Sequence, residues 1–311
     1  MRTVHLLTTA LAAASLLACQ GNGGQRFLSV GTGGTGGVYY PLGGAIASRL
    51  SVRDSLRQYT AEVTGGSVEN VNRILAGQID MGFSLSVTAY EAFHGGEGFG
   101  TPAENLRIVA PLYSNLTHVL VPASSPVRDL SELRGMRVSV GSAGSGTEQI
   151  SRQLLEVHGL TYDDVEPQYL SFSESTAALR DGAVGAAIFS VGVPAAAVLE
   201  ATTSGNVRMI GVTPERTAEL RERYPYYSAG MIPAGSYPGV DEALPTVGMM
   251  NWMVADEALD DDVVELLLNI LDEDRVSLGQ VHDMAKQIDL RQLDEAPIPL
   301  HPAAEEFVSR R

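Results

Sequence analysis

One pattern occurs twice and limits what this chain can fold into. Residues 27–30 are a short apolar run, followed by the turn Gly31-Thr-Gly-Gly-Thr-Gly-Gly37. Val38, Leu42, Ile46 and Leu50 then recur at i, i+4, i+8 and i+12, the stripe of a helix. Strand, glycine loop, helix is the local reading. Val30-Gly-Thr-x-Gly-Thr-Gly36 returns as Val140-Gly-Ser-x-Gly-Ser-Gly146, an offset of 110 residues (140 − 30).

The segments behind the two loops also correspond. In the first, a strand over 59–63 leads to Thr64-Gly-Gly-Ser67, with Ser67 as N-cap of a helix carrying Val68, Val71, Ile74 and Leu75 and ending at Gly77. A strand over 78–84 and a helix over 87–93 complete it. In the second, a strand over 136–140 and the loop Gly141–Thr147 lead into a helix over 148–158 bearing Ile150, Leu154 and Val157. A strand over 165–170, a helix from Ser171 through Arg180 and a strand over 182–189 ending at Ser190 follow. This predicts an α/β fold with one β–loop–α–β–loop–α–β unit in each of two lobes. Parallel βαβ units carry their loops at the carboxyl ends of the strands, where ligands bind. Two facing lobes put two small-residue loops and two helix N-termini around one cleft.

That arrangement suits a small anion. One helix end contributes about 0.3–1 kcal/mol, up to ~2 when partly buried, so two contribute about 1–4. Micromolar affinity needs roughly 8 kcal/mol, and hydrogen bonds to the charged ligand must supply the rest. The hydroxyls placed to do so are those of Thr35, Thr64, Ser67, Ser86, Ser142, Ser145 and Thr147. Gly34, Gly36, Tyr39, Gly65, Gly146 and Ser190 complete the expected ligand-binding set.

Composition narrows the partners. The chain has 311 residues with 37 acidic and 21 basic side chains, a net charge of −16, and Lys286 as its only lysine. Such a balance, with no basic cluster, argues against nucleic acid. Arg2 and the apolar run Leu6–Leu17 read as a leader over residues 1–18, too short to span a bilayer as a helix. Leu16-Leu17-Ala18-Cys19 resembles the lipobox of bacterial lipoproteins, and Cys19 is the only cysteine. The expectation is an exported periplasmic protein, anchored to a membrane through Cys19 by a tether over 19–26.

Catalytic readings find less support. Gly31-x-Gly33-x-x-Gly36 between a strand and a helix is a dinucleotide fingerprint, with Asp54 near the acidic position. Export, the surplus glycines and threonines, and the repetition of the loop count against it. No G-x-S-x-G occurs, and His94, His118, His158, His282 and His301 show no metal-ligand spacing. The chain is therefore read as a binding protein rather than an enzyme, with no cofactor, no metal and no catalytic residue.

GTGGTGGVYYPLGGAIA (31–47), TGGSVEN (64–70), GSAGSGTE (141–148), LTYDDVEPQYLSFSES (160–175), IPAGSYPGVDEALPTV (232–247) and IPLHPAAEEF (298–307) resemble the TAXI-type solute receptors of TRAP transporters. The resemblance implies a type II periplasmic binding protein fold and a receptor that closes on a small organic solute and delivers it to membrane permease subunits. It implies a dicarboxylate such as glutamate or 2-oxoglutarate. It also implies crossing strands at 118–121 and 249–254, one lobe of 27–114 plus 270–311, and another of 115–269. Two departures bear on the ligand. Leu85-Ser86-Val87 stands where members often carry Gln-Ser-Asp, which disfavours a ligand ammonium, and Val193 and Ala195 replace an aromatic and an asparagine. An exported sensor of the same fold is the alternative, and a dinucleotide-binding enzyme a more distant one.

Overall fold

The structure is a computed structural model that describes residues 26–96 and 98–310. The leader, Cys19 and the tether up to residue 25 lie outside the described residues. The first unit runs β1 (Arg26–Gly31), α1 (Tyr39–Arg53), β2 (Arg57–Glu62), α2 (Ser67–Leu75), β3 (Met81–Leu85) and α3 (Ser86–His94). A long strand, β4 (Leu106–Pro122), carries the chain across to the second unit. That unit is β5 (Arg137–Ser139), α4 (Gly146–Val157), β6 (Glu166–Gln168), α5 (Phe172–Arg180), β7 (Ala186–Val191) and α6 (Ala196–Thr203). Next come β8 (Val207–Ile210), α7 (Pro214–Arg223), β9 (Tyr227–Ile232) and the returning strand β10 (Leu244–Asp256). The helices α8 (Asp261–Glu273), α9 (Arg275–Val281) and α10 (Pro302–Ser309) close the chain.

The repeat is visible in the strand order, β2-β1-β3-β10-β4-β7-β5-β6. β1 pairs parallel with β2 and β3, and β5 pairs parallel with β6 and β7. Each unit thus has its first strand in the middle. Between them β10 and β4 lie antiparallel to each other and to their outer neighbours. β5 and β6 are shorter than their apolar runs predict, and β6 holds Pro167, which an edge strand tolerates because its missing N–H faces no partner.

The crossing strands are longer than expected, at 17 and 13 residues. Ser114, Asn115, Thr117 and His118 interrupt the hydropathy of β4, so sequence pattern breaks it where the structure does not. Two of these positions are bonded inside the sheet: Asn115 Nδ2 donates to Ser190 O at 2.8 Å, and Thr246 Oγ1 donates to the backbone Thr117 O at 2.5 Å.

The stripe on α1 buries Leu42, Ile46 and Leu50 against the first sheet, and Ile150, Leu154 and Val157 of α4 do the same in the second unit. Helix α8 buries Val264, Leu267, Leu268 and Leu271 and packs on α1 and α10. Arg57 pairs with Asp54, Asp260 and Asp262, tying the start of α8 to β2. Helix α8 thus packs with elements of the first unit and of the tail. Among the described residues no helix is long and apolar enough to cross a membrane.

Candidate ligand cleft

The loop after β1 is held at Thr32 O by two side chains, Asn70 and Thr64. Asn70, fully buried on α2, donates from Nδ2 to Thr32 O at 2.7 Å and to Phe83 O at 2.9 Å. Its Oδ1 accepts from Thr64 Oγ1 at 2.7 Å. A Cβ on Gly31 would lie 2.5 Å from Asn70 Oδ1, so the first glycine of the loop leaves room for this amide. Gly31 thus serves packing.

Beyond that pin, four helix starts converge on a cavity of about 60 Å³ between the units. They are Val38–Tyr39, Gly66–Ser67, Ser145–Thr147 and Ser171–Phe172. The α4 and α5 starts are capped by Ser145, which accepts from Glu148 N, and by Ser171 in a capping box with Glu174. The α1 and α2 starts have no side-chain cap, so their N–H groups are left to other partners. Among the described residues, the lining contains no carboxylate, ammonium, guanidinium or imidazole. The field in the cavity is set by helix ends and hydroxyls. Both stabilise negative charge, at about 0.3–1 kcal/mol per exposed helix end and up to ~2 in a partly buried one.

The floor comes from the crossing strands. Tyr39 OH donates to Asn251 Oδ1. Asn251 Nδ2 donates to Tyr113 O at 2.8 Å and to Asn115 Oδ1 at 2.9 Å. Tyr113 is 1% exposed, and its hydroxyl is buried with no hydrogen-bond partner. Burial, with Tyr39 alongside as a lesser cause, pushes the Tyr113 phenol well above its usual range, so it is a neutral donor. An unmatched buried hydroxyl is penalised by about 1–3 kcal/mol. Tyr113→Phe is therefore expected to raise the stability of the ligand-free protein by about 1–2 kcal/mol in urea unfolding, and to weaken anion binding by about tenfold or more. Weaker binding without the gain in stability would show that the hydroxyl is already matched.

Gly34, Tyr39, Gly65, Ser67, Ser142, Ser145, Gly146, Thr147 and Ser190 of the sequence-derived set line this cavity. Four do not. Thr35 is exposed on the loop. A Cβ on Gly36 would lie 2.8 Å from Ser173 Oγ, so Gly36 seats the second unit against the first. Thr64 is engaged by Thr32 O and Asn70. Ser86 points to the other side of the sheet, donating to Met250 O at 3.2 Å and accepting from Trp252 Nε1 at 2.7 Å. Ser67 is not the cap of α2. Gly66 takes that position at φ 123°, and Ser67 Oγ accepts from Leu85 N at 3.2 Å. Of the residues that depart from the TAXI pattern, only Leu85 lines the cavity; Val87 and Ala195 are buried in the cores, and Val193 packs against one. Sequence reasoning missed Tyr113, Asn115 and Phe172. The available signal was the polar pair Ser114-Asn115 inside an apolar strand.

The units touch across the cleft. Glu69 N donates to Gly144 O at 2.9 Å, Thr88 Oγ1 donates to Gln149 Oε1, and Gln149 Nε2 donates to Glu91 Oε2 at 2.7 Å. A Cβ on Gly65 would lie 2.6 Å from Ala143 O. Gly65→Ala is expected to hold the lobes apart and weaken ligand binding by about tenfold or more, while leaving the unfolding free energy of the ligand-free protein within about 1 kcal/mol of its original value. Titration calorimetry beside urea unfolding checks both.

Residues 30–309 match the NMT1-like family. The solved structure of PhnD1 from Prochlorococcus marinus in complex with methylphosphonate is similar at a TM-score of 0.58 and 13% identity, covering 92% of this chain and 97% of that one. The periplasmic binding protein BugD gives 0.59 at 12% identity with the same coverage, 92% and 97%. SsuA, the periplasmic aliphatic sulphonate binding protein of Escherichia coli, gives 0.50 at 16% identity, with 92% and 84% covered. The shared feature is the fold, a mixed α/β periplasmic binding protein architecture of two lobes.

Proposed function

We propose that this chain, which belongs to the NMT1-like family, is an exported solute-binding receptor that captures a small organic anion between its lobes and delivers it to a membrane transporter. The observation that carries this reading is the convergence of four helix starts on a cavity with no charged side chain among the described residues. An anion binds there without an ion pair, and release requires no buried cation to be left behind.

The ligand class follows from the same wall. Among the described residues, no carboxylate lines the cavity to meet an ammonium, and no guanidinium lines it to grip a second carboxylate. Leu85, Phe172 and Val191 supply apolar surface. This favours one compact anionic head with a small apolar body, as in the methylphosphonate held by PhnD1 and the aliphatic sulphonates bound by SsuA. A dicarboxylate such as 2-oxoglutarate is the reading that the TAXI resemblance favours, with two of the helix starts for each end. TRAP permease subunits are the transport partner implied by that resemblance, and Cys19 is the proposed lipid anchor.

A thermal-shift panel of methylphosphonate, short alkyl sulphonates, 2-oxoglutarate and glutamate tests the assignment. A ligand present at 100 times its Kd stabilises the fold by about 2.7 kcal/mol. The single-headed anions are expected to shift Tm most and glutamate least. A panel with no stabilising anion would sink the receptor reading. A preference for glutamate would overturn the account of the wall.

A further inference from the structure

We propose that a second cavity, on the far side of the crossing strands, is a binding site for a small organic cation. The strands place it there by their alternation. On β4, Tyr113 and Asn115 face the anion cavity and Ser114 faces away; on β10, Met250 and Trp252 line the far cavity on either side of Asn251. The far cavity measures about 530 Å³ and draws on α3, both crossing strands, the segment 225–228 and the tail near 292–297. That is the size range of small-molecule sites.

Its chemistry is the inverse of the first. Tyr90, Tyr226, Tyr227 and Trp252 provide an aromatic wall. The Tyr90 and Tyr226 ring centroids are 5.6 Å apart at 49°. Tyr226 is fixed by its hydroxyl, which accepts from Gln153 Nε2 at 3.1 Å, and Tyr227 OH donates to Gln153 Oε1 at 2.8 Å. Three of the wall's donors are engaged: Trp252 Nε1 by Ser86 Oγ, Ser86 Oγ by Met250 O, and Ser114 Oγ by Met250 Sδ at 3.7 Å. Acceptors remain. Gln292 Oε1 is buried at the wall without a hydrogen-bond partner, and Glu295 is the only charged lining residue among those described. Aromatic faces, one carboxylate and a spare acceptor, with no cation in the wall, recognise an ammonium by cation–π and ionic contact.

Trp252 is the only tryptophan in the chain, so its emission reports occupancy of this cavity. The test is a titration of the full chain with choline and with 3,3-dimethyl-1-butanol, its neutral isostere, read by fluorescence and in parallel by calorimetry. Choline is expected to saturate, and the isostere to bind at least about tenfold more weakly. Glu295→Gln and Tyr90→Ala, both at exposed positions, are each expected to weaken choline by about fivefold or more. Equal binding of the isostere, no saturation by either method up to about 10 mM, or unchanged affinity in both variants would overturn the proposal.

Discussion

Asn70→Ala is expected to destabilise the protein by about 3–5 kcal/mol, the largest effect of any single substitution considered. The side chain is fully buried and makes three hydrogen bonds, two as donor to Thr32 O and Phe83 O and one as acceptor from Thr64 Oγ1. Deleting it removes the side-chain donor to Phe83 O and leaves Thr32 O with Thr64 Oγ1 alone, and each lost buried hydrogen bond is penalised by about 1–3 kcal/mol. Thr64 keeps Thr32 O as a partner, so its share is smaller. The gap adds a packing loss, because a Cβ on Gly82 would lie 3.0 Å from Asn70 Cβ and the neighbours are already close. Asn70→Asp should do no better, since it sets a carboxylate oxygen against two carbonyl oxygens. Urea unfolding measures the loss. Because Asn70 ties the end of β1 to β3 and α2, the variant should also lose ligand affinity where it still folds. A change below about 1 kcal/mol would mean that the amide is not the pin of this loop.

Acidification from pH 7 to pH 4 is expected to remove about 3 kcal/mol of stability through His118 alone, about 2 of it by pH 5. The ring is fully buried on β4, its Nδ1 has no hydrogen-bond partner, and Nε2 lies 3.2 Å from Tyr237 OH. Burial pushes the imidazole down to about 4, from about 6.5 in an unfolded chain. Between those values the unfolded state binds the proton and the folded state does not. Stability is therefore complete above about pH 6.5 and is lost as pH falls toward 4. Burial lowers His158, His282 and His301 in the same direction, so they add to the slope. Unfolding midpoints across this range, with His118→Gln for comparison, check it. The variant's profile should be flatter, and an NMR titration should show the His118 ring neutral down to about pH 4. An imidazole that titrates near 6.5 would refute the burial argument.

How far the sequence could be read depended on the range over which each feature is encoded. The two units were legible because strand, small-residue loop and helix follow one another locally, and the parallel order β2-β1-β3 and β6-β5-β7 bears this out. The helix opening at Ser171 and the apolar stripe of α1 were equally local. Most of the cavity-lining residues on the helix starts followed from the same pattern, since a helix N-terminus must be where the loop ends.

The sequence by itself therefore determined a doubled α/β chain with small-residue loops leading into its helix starts. The rest belongs to long-range pairing. In a strand, one residue's difference in register decides which face a side chain meets. The pairing of β4 with β10 and β7 turns Tyr113 and Asn115 to one cavity and Ser114 to the other. The purpose of Gly31 was likewise hidden, because the amide it accommodates comes from a helix 39 residues later (70 − 31). Tertiary structure alone could assign those roles, since they depend on what packs against a residue from elsewhere in the chain.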